Sequence, residues 1–160
     1  MTIRVGEKMP SGVFGIMTDA GPGAISTDEL FAGKKVVLVS VPGAFTPTCS
    51  ASHLPGFVNQ AADFFAKGVD SIACMSVNDV FVMHAWGEDQ KVGDKVMMLA
   101  DGNGEYARAL DLEMDGTAFG MGTRSQRFAI IIDDGTATHV AVEAPGKLEV
   151  SEADAILAKL

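Results

Sequence analysis

Six residues from Val36 to Val41 run almost without a polar break after Lys34-Lys35, and a Pro-Gly pair follows at once. An apolar run bounded in this way predicts a strand buried on both faces. Thr46-Pro47 then predicts a helix start, with the threonine as N-cap and the proline in the first turn. The helix is expected over 47–67, closed by Gly68. Pro55 lies inside it and should kink or locally widen it. Beyond the proline, Phe57, Ala61, Phe64 and Phe65 recur at helical spacing and predict one buried stripe.

The remaining pattern alternates in the same way. Strands are expected over 69–77 and 95–100, with a helix between them capped by Asn78 or Asp79. Residues 128–133 and 138–143 predict two strands joined around Asp134-Gly135, a hairpin pair. Residues 13–17 supply a further strand near the start. Ser151-x-x-Asp154 opens a final helix and is close to a capping box. Strand–helix–strand–helix–strand implies parallel pairing, and the hairpin adds antiparallel strands. The class is therefore α/β, with a central mixed sheet flanked by helices and a single domain over residues 1–160.

Composition narrows the function. A hydrophobic fraction of 48% and a charged fraction of 21% are ordinary for a globular chain. The net charge of −9 opposes binding to nucleic acid or to an anionic membrane surface. No apolar run approaches the ~18 residues that span a bilayer. The first residues show no apolar leader core, and two cysteines are too few for a disulfide framework. A reducing compartment is expected, the cytoplasm first.

The candidate chemistry sits in Pro42-Gly43-Ala44-Phe45-Thr46-Pro47-Thr48-Cys49. The helix start places Cys49 in a first turn, where unpaired N–H groups and the positive dipole end favour a thiolate over a thiol. Cys74 falls in the middle of a predicted strand and reads as a buried, structural thiol; the alternative is a resolving partner for Cys49. His53 lies one turn past Cys49, with contact to the site and helix packing both open to it. His53, His84 and His139 have no metal spacing. Asp101-Gly102-Asn103-Gly104-Glu105 starts like a calcium loop, but Tyr106 and Leu112 stand where Gly and Glu are needed, so it reads as a turn.

Pro42, Thr46 and Cys49 match Pro-x-x-x-Thr-x-x-Cys, and the chain thereby resembles the peroxiredoxins. The longer string from Pro42 to Phe57 is similar to the type II (peroxiredoxin-5-like) subgroup. So are Ala73–Asp79, His84–Gly87 and Arg124–Phe128. The resemblance implies a thioredoxin-like fold with an N-terminal extension and an insert near residues 101–122. It implies a thiol-dependent peroxidase acting on hydrogen peroxide and alkyl hydroperoxides through a Cys49 sulfenic acid. Thr46, Arg127 and Pro42 would complete the catalytic set, with Gly43, Thr48 and Arg124 near the substrate. No metal, haem, flavin or nucleotide cofactor is implied. A thioredoxin-type oxidoreductase would need Cys-x-x-Cys, and Thr46 occupies the first of those positions. A peroxide sensor oxidised once would use the same thiolate. The chain has no cysteine after Cys74, so an external thiol is expected as reductant, glutaredoxin with glutathione ahead of thioredoxin. The subgroup also implies a homodimer.

Overall fold

The computed structural model describes residues 1–160. The apolar run forms β3 (Lys35–Ser40), an interior strand of a seven-stranded sheet. Around it lie β1 (Val13–Thr18), β2 (Gly21–Ser26), β4 (Ser71–Ser76), β5 (Met97–Ala100), β8 (Phe128–Asp133) and β9 (Thr136–Val142). Their order is β2-β1-β5-β4-β3-β8-β9. β3, β4 and β5 are parallel, and the pairs β3–β8, β8–β9 and β1–β2 are antiparallel. This is the mixed sheet that the sequence pattern predicts. β6 (Glu113–Asp115) and β7 (Thr123–Ser125) make a separate two-stranded ribbon, with β6 inside the expected insert region and β7 just past its end.

Strand alternation divides the core in two. Val37, Val39, Ile72, Cys74, Ala129 and Ile131 face one side, packed with Phe57, Phe64 and Trp86. Val36, Leu38, Ala73, Met75, Phe128 and Ile130 face the other, with Phe14, Leu30 and Tyr106. Both sides of β3 are covered, which is why it reads as an unbroken apolar run.

Helices α1 (Thr27–Phe31), α4 (Val80–Gln90) and α5 (Glu105–Ala109) follow β2, β4 and β5. Ser26 and Glu29 form a capping box on α1, and Asp79 caps α4 by accepting the Val82 N–H at 2.9 Å. In the calcium-like segment, the Asp101 carboxylate accepts the Tyr106 and Ala107 N–H groups at 3.0 and 2.9 Å, which makes it a turn that starts α5. Asp134 and Gly135 take positive φ of 47° and 79°, as a two-residue hairpin requires.

The helix after Cys49 is locally widened, one of the two effects expected of Pro55, but three expectations need correction, the first being its unbroken run to residue 67. Cys49–His53 is a π-helical turn, followed by α2 (Leu54–Asn59), a break at Gln60 and α3 (Ala61–Ala66). The Leu54 N–H reaches the Cys49 carbonyl, five residues back, and Pro55 has no N–H to restore the tighter ladder. Phe57, Ala61 and Phe64 are buried, but Phe65 is 38% exposed at the stripe's rim. Ser151 does not cap α6 (Ala153–Leu157). Glu152 occupies the N-cap, and the Ser151 hydroxyl points to Glu143 instead.

Candidate active site

The parallel strands β3 and β4 deliver two loops to the same edge of the sheet, the place where α/β folds hold their sites. The loop after β3 is Pro42–Pro47, and the loop after β4 is Val77–Asp79. Asn78 joins them. Its Oδ1 accepts the Ala44 N–H at 3.0 Å and the Ser76 hydroxyl at 2.7 Å. β8 runs antiparallel to β3, and Phe128 pairs with Ser40. The residue before β8 therefore arrives beside the residues after β3. This topology brings Arg127 to Cys49 across 78 positions of chain.

Thr46 is the N-cap, because its carbonyl accepts the Ser50 N–H at 2.9 Å. Its hydroxyl donates to the Gly43 carbonyl at 2.7 Å, which leaves the oxygen lone pairs as acceptors. A Cβ on Gly43 would lie 3.1 Å from the Thr46 methyl and 3.3 Å from Met121 Cε, so a side chain there would crowd the turn. Phe45 is held at φ 64°, a conformation costing a bulky residue about 1–2 kcal/mol. Its ring packs on Trp86 at 6.5 Å, and Trp86 Nε1 donates to the Ser50 hydroxyl at 3.0 Å. The strained residue is thus anchored, and the π turn is tied to α4.

Cys49 is fully buried. Arg127 Nη2 lies 3.1 Å from its sulfur, while Nη1 lies 2.8 Å from His53 Nδ1. Guanidinium groups only donate, so His53 Nδ1 is the acceptor and its proton is on Nε2, which faces the Ser151 carbonyl at 2.9 Å. Burial is the main reason the His53 ring is pushed down to about 4 and stays neutral; Arg127 adds to this, and Ser151 and Glu143 oppose it. Burial alone would raise the Glu143 carboxyl, but hydrogen bonds from the Ser151 hydroxyl and from the backbone at 149–151 bring it below the ordinary carboxylate value.

A cavity of about 380 Å³ opens beside Arg127, walled by Pro42, Thr48, Gln126, Glu143 and the loop 144–147. Arg124 does not share in the sulfur contact. It donates to the Met121 and Val77 carbonyls at 2.8 and 3.1 Å and so ties the Met121 turn to the loop after β4, with Nη1 3.4 Å from where a Cβ on Gly43 would lie. Pro42, Thr48 and Arg127 line that one cavity, Arg127 lies on the Cys49 sulfur, Thr46 is bonded to Gly43, and Arg124 approaches Gly43 from the Met121 side. Sequence reasoning missed Asn78 as the link between loops, as well as Glu143 and Ser151. It had left His53 open, and the structure places it against Arg127. No local signal marks Glu143, because its partners lie in a later loop.

The family model described as Redoxin matches residues 4–157. Peroxiredoxin-2B of Arabidopsis thaliana is 47% identical over 159 residues, covering 99% of this chain and 98% of that protein. The chloroplastic peroxiredoxin-2E-2 of Oryza sativa is 48% identical, covering 99% of this chain and 73% of its own length. The crystal structure of reduced Prx3 from Vibrio vulnificus in complex with hydrogen peroxide superposes with a TM-score of 0.95. It is 52% identical, with 99% of each chain covered. The family match over nearly the whole chain and the peroxiredoxin relatives at this coverage show the class, a thiol peroxidase. The chain belongs to the redoxin family, as a peroxiredoxin of the type II subgroup. It is a peroxidase that uses a peroxide and a thiol reductant.

Proposed function

We propose that Cys49 is the peroxidatic nucleophile and that Arg127, Thr46 and Pro42 form its catalytic surround. The observation that carries this reading is the 3.1 Å approach of Arg127 Nη2 to the sulfur. The Cys49 thiolate attacks one peroxide oxygen, forming an S–O bond as the O–O bond breaks. The departing oxygen keeps the electron pair, takes a proton and leaves as water or an alcohol. Sulfur is oxidised by two electrons to a sulfenic acid. Arg127 supplies donors where negative charge develops on the leaving oxygen, a role typically worth about 3–4 kcal/mol of barrier. Thr46, with its own proton on Gly43, accepts from the peroxide O–H. Pro42 has no N–H to compete for it. Thr48 and Gly43 shape the approach, and Arg124 holds Val77 in place beside Gly43.

The sulfenic acid then condenses with an external thiol to a mixed disulfide and water, and a second thiol releases Cys49. Glutaredoxin with glutathione is the favoured donor and thioredoxin the second choice. The support is that Cys74, the sole other cysteine, is buried in the middle of β4. Two free thiols suit a reducing compartment, the cytoplasm first. The 160 residues would act as one domain and pair as a homodimer, with Phe45, 51% exposed beside the site, as an apolar contact. Peroxide turnover with glutaredoxin–glutathione and with thioredoxin, run in parallel, tests activity and donor together. Faster turnover with glutaredoxin is expected. Turnover with thioredoxin alone would overturn the donor assignment, and a monomer in sedimentation at micromolar concentration would overturn the dimer.

A further inference from the structure

The Glu143–Ser151 pair is the one buried polar cluster whose bonds lead to the reacting sulfur. Three donors converge on a single oxygen. Glu143 Oε2 accepts the Ser151 hydroxyl at 2.7 Å and the Ser151 and Glu149 N–H groups at 2.8 Å each. The carboxylate thus clamps the loop between β9 and α6, and with it the Ser151 carbonyl that receives His53 Nε2. From His53 Nδ1 the path continues to Arg127 Nη1, and from Nη2 to Cys49. Ser151 is fully buried, His53 is 1% exposed and Glu143 is 6% exposed. No buried side-chain polar atom here is left without a partner.

We propose that Glu143 and Ser151 are positioning residues for peroxide reduction: they fix the His53 tautomer whose Nδ1 lone pair orients the Arg127 guanidinium on the Cys49 sulfur. A carboxylate binding a serine for stability alone has no need of an imidazole aimed at the arginine. Here the direction of every bond is set. Arg127 can only donate, so Nδ1 must accept, so Nε2 must donate, and the carbonyl that receives it is held by the Glu143 clamp. With the other tautomer, an N–H would face the guanidinium and push it from the sulfur. The groups facing His53 are Arg127, Glu143 and Ser151, with the Phe57 ring against its edge at 5.7 Å. No other charged group is needed to set its state. The inference rests on the proposed role of Arg127.

The test combines stopped-flow oxidation of the reduced protein by hydrogen peroxide with imidazole 15N shifts. Trp86, the only tryptophan, is bonded to Ser50 next to Cys49 and serves as the fluorescent reporter. Wild-type protein at pH 7 should show His53 protonated on Nε2 alone. Ser151→Ala and Glu143→Gln should shift the ring to mixed tautomers and slow oxidation about tenfold. Ser151→Thr, which keeps a hydroxyl, should recover most of the rate. Oxidation of Ser151→Ala and Glu143→Gln at the wild-type rate would overturn the inference. So would a slower rate with an unchanged ring spectrum, because the pair would then act through stability alone. Should both variants fail to fold, the wild-type spectrum still decides: a proton on Nδ1 breaks the chain of bonds. A wild-type protein inert to peroxide would overturn the proposed roles at Cys49 themselves, a result distinct from all of these.

Discussion

The two cysteines are the most instructive pair of places in this molecule. Both are fully buried, both belong to the same apolar cluster, and neither is in a disulfide. Cys74 lies in β4 between Val39 and Met98, so its backbone is held on both sides by the ladder. Burial pushes its thiol up, Cys49 adds to the effect, and Arg127 offsets only part. It stays a thiol at any physiological pH. Cys49 lies in a π turn outside the sheet, with a guanidinium on its sulfur. Burial therefore does not separate the inert thiol from the reactive one. On the proposed assignment a directed cationic donor does, together with a backbone that lies outside the sheet ladder.

The largest effect that tests this contrast is at Cys49 itself. Cys49→Ser should reduce peroxide turnover to background in a coupled assay with glutaredoxin and glutathione. Residual turnover dependent on Cys74 would break the comparison.

Next in size is the pair of arginines. Arg127→Gln should slow sulfur oxidation about 100-fold, in line with the loss of a transition-state donor. Arg124→Gln should slow it much less, because its bonds end on the Met121 and Val77 carbonyls. Stopped-flow rates on both variants rank them, and a larger defect for Arg124→Gln would reverse the assignment.

Much of this was legible in the chain. The Val36–Val41 run, the Pro-Gly turn and the Thr-Pro start are local signals, and they place β3, the loop and Cys49 correctly. Asp134-Gly135 marks the β8–β9 hairpin in the same local way. β2 was not legible. Gly21-Pro22-Gly23 is turn chemistry by composition, and it becomes a strand because β1 offers it an antiparallel ladder. The π turn has a hint in Pro55, but no pattern distinguishes a widened turn from a kink. Ser151 is the clearest failure. Its spacing to Asp154 looks like a cap, yet its hydroxyl goes to Glu143, eight residues back, and its carbonyl to His53, 98 residues back. Tertiary partners took the bonds that local spacing had assigned.

His53 predicts how the reactive region responds to acid. Its ring is neutral in the folded chain down to about 4, against a model-peptide value near 6.5. Between those values the unfolded chain binds the extra proton, so stability is full above about pH 6.5 and falls as pH drops toward 4. The loss should approach about 3 kcal/mol. Urea midpoints measured from pH 7 to 4.5 should decline in the wild type and decline less in His53→Gln. Equal slopes for the two proteins would show that His53 is not held neutral by burial.

The smallest effect is expected at Cys74, and it is the sharpest test of the contrast because it predicts near silence. Cys74→Ser replaces a buried sulfur with a hydroxyl among Val39, Met98 and their apolar neighbours. It should lower stability by about 1–3 kcal/mol, since that hydroxyl lacks a designed partner. Peroxide turnover should stay within about twofold of wild type, because no bond from Cys74 reaches Arg127, His53 or Cys49. The oxidised product should be equally insensitive. One equivalent of peroxide followed by glutathione should give a glutathione adduct on Cys49 in wild type and in Cys74→Ser alike, read by mass spectrometry. A rapid Cys49–Cys74 disulfide with no adduct under excess glutathione would mean that β4 opens fast enough to resolve the sulfenic acid. The two thiols would then be one redox unit, and the distinction between a thiol held in the sheet and one in the helical turn would fail.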